Sequence, residues 1–375
     1  MGRLNGESVI CARALKQLVG YALCGLALAP LGCMNSGSSD ANYVVAMLQS
    51  SKQQAMELTM SDVAELVGSA VSQSGGLDFI KDGQTVVLKP NLITFYQDAG
   101  ETLASKTVSG VNTDWRVVKV VADLVRAKNP TGKILIMEGS TLTTPTVYAL
   151  LGYNSENFGS SVDEFVALEG TGCDDTSTTS LEQHTARGGR QYWINRRYVD
   201  VDAVIGIPTL ATDAWAGIGG AVESLALGAT PAGQYGAAEN QDVCTRTKID
   251  HTSPQTLGEF IRDYYEIRPA DFVVMDGLQG LQHGPLPVWD DSGTYDYASS
   301  TKNMRLILAS KNAVAVDTIA SLVMKCAPNK VPYLTALQTD GLGTTDAAQI
   351  TVVGKTVNEV AKPFAGKHTD ICPGL

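Results

Sequence analysis

With 375 residues, 44% apolar and 18% charged, the chain has material for one large α/β domain or two smaller ones and lacks the charge-rich, apolar-poor composition of disorder. Its formal net charge of -11 and the lack of any run of five or six Lys or Arg exclude an electrostatic footprint for DNA or RNA, so no nucleic-acid partner is expected.

The chain opens on a leader. Arg3, Arg13 and Lys16 precede an uncharged apolar run over residues 18–31, the layout of a secretory signal and too short for a resident membrane helix. Gly32 stands directly before Cys33, and a small, polar stretch follows to Asp40. This ending is similar to the signal of bacterial lipoproteins. The resemblance implies cleavage after residue 32, lipidation of Cys33, and a flexible tether over residues 33–42. Pro30 and Leu31 depart from the usual Leu-then-small pattern, and ordinary signal-peptidase cleavage nearby is the alternative. Loss of residues 1–32 removes Arg3, Arg13, Lys16 and Glu7 and makes the chain two units more negative. Attachment to the membrane, on the periplasmic or cell-surface side, would then rest on the lipid anchor alone.

Of seven cysteines, Cys11 and Cys24 leave with the leader and Cys33 would carry lipid. Cys173, Cys244, Cys326 and Cys372 remain, without a Cys-x-x-Cys pair, so no zinc ribbon and no iron–sulfur cluster is expected. In an exported chain four cysteines read as two disulfides with three open connectivities. Chain proximity favours Cys173–Cys244 and Cys326–Cys372.

Strands and helices then alternate. Residues 43–47 read as a short strand, and Thr59-Met-Ser-Asp62 is a capping box before the helical face Val63, Leu66, Val67, Ala70 and Val71. Residues 86–88 form a buried strand that ends in Lys89-Pro90-Asn91. Asp114 caps a helix with the stripe Val117, Val118, Val121, Leu124 and Val125, and residues 134–137 are a strand that ends in Glu138-Gly139-Ser140. The polar segment 171–190, with Gly188-Gly189, reads as an insertion whose hairpin turn precedes a strand at 191–194, so that the insertion spans about residues 171–192. Residues 203–207 are a further core strand that ends in Pro208-Thr209, and residues 217–236 are rich in Gly and Ala. Ser253-Pro254 opens a helix with Leu257, Phe260, Ile261, Tyr264 and Tyr265 on one face. Strands at 272–275 and 305–308, a helix at about 313–325 and a last strand at 350–353 complete the order. Strand, helix, strand in this order predicts an α/β fold: a mainly parallel sheet with helices on both faces, one domain over residues 43–375.

In such sheets ligands bind beyond the carboxyl ends of the strands. Four polar turns stand there in this reading: 89–91, 138–140, 208–213, and Asp276-Gly277 with His283-Gly284-Pro285 soon after. Their side chains give Lys89, Asn91 and Asp276 as catalytic candidates, Ser140, Thr209, Thr212 and His283 as ligand-binding candidates, and Glu138, Asp213 and Asp276 as oxygen ligands for a cation. A cofactor of that set would be Mg²⁺ or Ca²⁺. Each residue also has a plainer role. Lys89 can pair with Glu138 or Asp276, Asn91 can bond its own turn, Glu138 and Asp276 can cap the turns they open, and a loop histidine such as His283 is often merely solvated. Asp317, set in an apolar helix, requires a partner, structural or in the site. His184, His251 and His368 lie in polar stretches and receive no role. The Gly217-x-Gly219-Gly220 segment lacks the context of a nucleotide loop, and no G-x-S-x-G or H-E-x-x-H occurs.

The order from Val86 to Val353 resembles the bacterial and archaeal domain of unknown function 362 family. The resemblance rests on Val86-Val-Leu-Lys-Pro-Asn-Leu92, Thr113-Asp-Trp-Arg-Val-Val118, Ala203-Val-Ile-Gly-Ile-Pro208, Val274-Met-Asp-Gly-Leu278 with Gly284-Pro285, Leu306-Ile-Leu-Ala-Ser310, Ala313-Val-Ala-Val-Asp317 and Gly341-Leu-Gly343. Where the family tends to carry Pro-Lys-Leu-Lys-Thr-His this chain has Pro208-Thr-Leu-Ala-Thr-Asp213, and where it tends to carry Gly-Ala-x-Lys-Asn it has Gly220-Ala-Val-Glu-Ser224. Thr209, Ala211 and Glu223 thus replace three cations, and Lys89 is left as the main one. Two functions follow as expectations. One is an exported protein with an enzyme-like pocket, which requires Lys89, Glu138, Asp213 and Asp276 to share a cleft. The other is a non-catalytic cell-envelope binding protein that takes a small molecule in a degenerate pocket, or an envelope partner on the 171–190 insertion.

Overall fold

The computed structural model describes residues 43–93, 109–236, 243–293 and 295–374. The expected leader, Cys33 and the expected tether lie outside the described residues. Strands are β1 Tyr43–Gln49, β2 Thr85–Pro90, β3 Lys133–Glu138, β4 Glu164–Ala167, β5 Leu181–Thr185, β6 Gln191–Asn195, β7 Ala203–Ile207, β8 Thr209–Asp213, β9 Gly217–Gly219, β10 Phe272–Leu281, β11 Thr301–Ser310 and β12 Ile350–Gly354. The longer helices are α1 Met60–Gln73, α2 Trp115–Lys128, α3 Thr144–Leu150, α4 Ala221–Leu227, α5 Pro254–Tyr265, α6 Ala313–Val323 and α7 Pro332–Thr339.

Among the described residues ten strands form one sheet in the order β12-β1-β11-β10-β7-β2-β3-β4, with β8 paired to β10 and β9 to β8. The pairs β1–β12, β2–β3, β2–β7, β3–β4, β7–β10 and β8–β10 are parallel, whereas β11 runs antiparallel to both β1 and β10. This is a mostly parallel α/β sheet in one large domain. Beside it β5 and β6 form a separate antiparallel hairpin, in register from Leu181↔Asn195 to Thr185↔Gln191.

The alternation of side chains along each strand divides the core in two. Val87, Leu135, Met137, Val204, Val273 and Met275 pack with Leu225, Leu257, Ile261, Ile319 and Leu334 of α4 to α7. Their neighbours Val86, Leu88, Ile134, Ile136, Ile205, Phe272 and Val274 pack with Val63, Val67, Val117, Val121 and Val147 of α1 to α3 on the other face. Local caps agree with the sequence: Thr59 and Asp62 form the capping box of α1, and Asp114 and Ser253 cap α2 and α5.

Two sheet segments differ from expectation, and the difference moves the site. Residues 208–213 are not a turn. After Pro208 the chain re-enters the sheet as β8, because Thr209, Leu210 and Ala211 pair with Asp276, Gly280 and Leu281 of β10. β10 likewise does not stop at Met275. It continues through Asp276 to Leu281 across a register shift between Gly277 and Gln279, so Asp276 lies in mid-strand.

Candidate functional site

Beyond the ends of β2 and β3 lies a cavity of about 580 Å³. Its walls are apolar, from Ile93, Leu142, Leu227, Val243, Leu257 and Leu286, and Trp215 stands at 40% exposure beside them. Its polar lining includes Asn91, Glu138, Asp213, Glu223, Arg246 and His251. A small adjoining crevice is shared by Asn91, Thr209, Thr212, Asp213 and Glu223.

Lys89 is 1% exposed and does not line the cavity. Its Nζ donates at 2.8 Å to both oxygens of Glu138 and at 2.9 Å to the Pro90 carbonyl. Glu138, 2% exposed, also accepts from the Leu92 and Gly139 amides. Burial pushes the Lys89 ammonium down and the Glu138 carboxyl up, and each partner opposes the other's shift. A β-carbon on Gly228 would lie 2.5 Å from that Nζ and 2.8 Å from Glu138 Oε1, so glycine is required where α4 ends against this pair. The cation expected to face a ligand is thus an internal counter-ion.

Asn91 lines the cavity but is also a strap. Its Nδ2 donates to Val111 O and Thr209 Oγ1, and its Oδ1 accepts from Ser224 Oγ, which joins β2, β8 and α4. Both amide hydrogens are engaged, so the expected ligand-orienting donor is occupied.

Asp276 does not join the other carboxylates. It follows Phe272 and Val274 in the strand alternation and so faces α1 and α2 rather than the cavity. There it accepts from the Asp114 and Leu278 amides, and Arg116 chelates Asp114. Burial first, then the Asp114 charge, push its carboxyl up to about 7. The expected cation cage of Glu138, Asp213 and Asp276 is therefore not assembled. Among the described residues no group of three or more His, Cys, Asp or Glu is placed to hold a metal ion.

The ligand-binding candidates are corrected as well. Ser140 Oγ donates to Ile93 O, and Ser140 does not line the cavity. Thr209 and Thr212 reach only the crevice, where Thr209 accepts from Asn91 and Thr212 donates to Ala365 O. His283 is exposed and outside the cavity, although Pro285 and Leu286 after it form part of the wall. Asp317 is structural: its oxygens accept from the Ala221 and Val222 amides at 2.6 and 3.0 Å and cap α4. Gly220 admits this contact, since a β-carbon there would lie 2.3 Å from Asp317 Oδ1. Burial pushes Asp317 up to about 7.

The polar centre that remains is Asp213 with Glu223. Asp213 Oδ1 accepts from the Trp215 and Ala216 amides at 2.8 and 2.6 Å. Its carboxyl is raised by burial, against those amides and the nearby His251 and His368. Glu223 makes no hydrogen bond or ion pair with the described residues, and its carboxyl is pushed far up by burial and by the Asp213 charge. The Asp213 charge thus adds to burial in favouring the neutral form of Glu223, while the Trp215 and Ala216 amides favour the charged form of Asp213.

His251 and Arg246, which received no role from the sequence, both line the cavity. His251 Nδ1 lies 2.7 Å from the Ile249 carbonyl, which fixes the hydrogen on Nδ1, and its ring meets Trp215 edge-on at 5.7 Å. Arg246 donates from Nε to Thr230 Oγ1 at 3.0 Å, from Nη1 to the Ser140 and Cys244 carbonyls, and from Nη2 to the Gly139 and Thr230 carbonyls at 2.8 and 3.1 Å. All five of its hydrogens are engaged. Next to it Cys173 and Cys244 form a disulfide, and Cys326 and Cys372 form a second.

The profile of the domain of unknown function 362 matches residues 86–321, which contain Lys89, Glu138, Asp213, Glu223 and Asp317. The chain belongs to this family. No curated protein matches it. Among solved structures the lactate racemase apoprotein of Thermoanaerobacterium thermosaccharolyticum is similar, with 12% identity and a TM-score of 0.37 over 73% of this chain. The chain spans 56% of that protein's length. In this member of the 362 family the positions that become Thr209, Ala211 and Glu223 all lie around the cavity or its crevice.

Proposed function

We propose that this 362-family member is an exported, lipid-anchored protein of the bacterial cell envelope that binds a small molecule in the 580 Å³ cavity without transforming it. The observation that carries this reading is the engagement of Lys89. A catalytic site on the expected plan needs that ammonium beside Glu138, Asp213 and Asp276 in one cleft. Instead Lys89 is sealed against Glu138, and Asp276 is on the opposite face of the sheet. What persists is an apolar, partly enclosed volume with a few polar groups, the form of a small-molecule site. Export is supported by the two disulfides, which use all four cysteines that follow Cys33.

A second reading is favoured by one observation, that Glu223 beside Asp213 has no partner among the described residues. A carboxyl biased toward its neutral form by burial and by a neighbouring carboxyl is equipped for proton transfer on a bound molecule. A thermal-shift screen of the parent protein and of Leu286→Trp, which fills the cavity wall, identifies ligands of the cavity. Mass spectrometry of a hit after incubation then decides between the readings: recovery unchanged supports binding alone, and conversion to a product overturns it. Anchoring is tested by Cys33→Ser, which should move the protein into the soluble exported fraction or block its processing. Unchanged membrane partitioning would refute the lipid anchor.

A further inference from the structure

The chemistry of the cavity narrows what it can hold. Besides His251, two basic side chains belong to this region, and neither keeps a free hydrogen for an anion. Lys89 is enclosed with Glu138, and every hydrogen of Arg246 is donated to Thr230 or to a backbone carbonyl. The polar groups open to a ligand include the carboxyls of Asp213 and Glu223, the Nε2 of His251 and the unpartnered hydroxyl of Thr245, which can accept as well as donate. Asp213 and Glu223 flank one point. A β-carbon built on Gly219, in the adjoining crevice, would lie 3.8 Å from Asp213 Cβ, 3.8 Å from Glu223 Oε2 and 3.9 Å from Ala211 Cβ, so both side chains border that point at contact distance. Both carboxyls also line the larger cavity, whose wall is Leu227, Leu257, Leu286, Ile93 and the ring of Trp215. A negative, hydrogen-accepting head in an apolar, aromatic-edged chamber is complementary to a positive, hydrogen-donating head on an apolar body.

We infer that the cavity binds a small organic cation, a protonated amine on an apolar body, with its nitrogen held by Asp213 and Glu223. This rests on the binding reading above and names its ligand class. A divalent metal ion is the rival cation. It would need six or more oxygen ligands, and no group of three candidate side chains is present among the described residues. The inference also carries a proton linkage. The charged groups that act on Glu223 are Asp213 from β8, Lys89 from β2, Glu138 from β3 and Asp317 from α6; His251 and His368 act on Asp213, and α5 contributes the apolar Leu257 to the wall. An ammonium arriving at Glu223 favours its ionised form, so binding releases a proton and strengthens as pH rises.

Isothermal titration of the whole protein with phenethylamine, its neutral isostere phenethyl alcohol, its anionic isostere hydrocinnamate, and Ca²⁺ tests this. Phenethylamine should bind about tenfold or more tightly than the alcohol, a charge-assisted contact, and hydrocinnamate more weakly still. Glu223→Gln and, separately, Asp213→Asn should each weaken the amine about tenfold and leave the alcohol unchanged. Amine affinity should rise from about pH 6 to about pH 8, a range in which an alkylamine keeps its charge. Equal binding of amine and alcohol, both abolished by Leu286→Trp, would overturn the cation class and leave the cavity reading intact. Preference for hydrocinnamate, or Ca²⁺ binding that Glu223→Gln abolishes, would also overturn it. No binding of any probe to the parent would overturn the inference and the cavity reading together.

Discussion

Replacement of Lys89 by Met removes one partner from a buried ion pair and leaves Glu138 facing the vacated volume. The carboxylate retains the Leu92 and Gly139 amides but loses two contacts of 2.8 Å to the ammonium, and the Pro90 carbonyl loses its donor. Glu138 then folds best as the neutral acid. From the ordinary value of 4.5, protonation at pH 7 costs about 3 kcal/mol. The orphaned Pro90 carbonyl adds about 1 kcal/mol. The sum, about 4 kcal/mol, agrees with the roughly 3–5 kcal/mol for breaking a buried pair. For a domain of roughly 330 residues this lowers Tm by about 6 °C. At pH 5 the proton is nearly free, and the loss should shrink to about 2 kcal/mol. In Lys89→Met/Glu138→Gln the amide oxygen still accepts from Leu92 and Gly139 and its NH2 can reach Pro90 O, so the double variant should return to within about 1 kcal/mol of the parent. Urea unfolding of the three proteins at both pH values reads all of this. An equal loss at both pH values, or a double variant as unstable as the single one, would refute the reasoning.

Asp276 and Asp317, both raised to about 7, bind a proton more tightly in the folded chain than in the unfolded one, where the ordinary value is 3.8. Their contribution is therefore fully present below about pH 4 and lost as pH rises through about 7, by up to roughly 4 kcal/mol each. Unfolding midpoints should be higher near pH 5 than near pH 8, and the reverse trend would contradict the assignment. The Cys173–Cys244 bridge closes a separation of 71 residues and pins the cavity wall at 243–247. Cys173→Ser/Cys244→Ser should cost about 4 kcal/mol and weaken ligand binding, measured by urea unfolding and titration. Mass spectrometry of unreduced exported protein should find Cys173, Cys244, Cys326 and Cys372 without a free thiol, and four free thiols would refute the pairing.

The apolar strands are legible in the sequence because buried parallel strands read as short apolar runs. Val86 to Leu88, Ile134 to Met137 and Ala203 to Ile207 all lie in the sheet. What misleads is the assumption that a strand ends where its apolar run ends. Asp276 and Thr209 continue strands because their backbone pairs with each other's strand, a tertiary fact that side-chain polarity conceals. The two-residue period of a strand is enough to put Asp276 on the side of Phe272 and Val274, away from Asp213. Asn91, Glu138 and Asp213 are correctly brought to one cavity by the strand-end argument. Glu223 is visible only as a charge reversal against the family pattern. Arg246 and His251 carry no motif. Their positions depend on the path of residues 243–251, which no local signal encodes.

Arg246 joins the carbonyls of Gly139, Ser140, Thr230 and Cys244, groups that belong to the main chain and exist whatever side chains those positions carry. The frame of the chamber is thus written in backbone and its interior in side chains. Leu142, Val243 and Leu286 can be exchanged, and the chamber's appetite altered, while the guanidinium keeps the same four grips. A lineage carrying this protein can accordingly retarget it by a few surface-neutral steps, without first acquiring compensating mutations elsewhere in the fold.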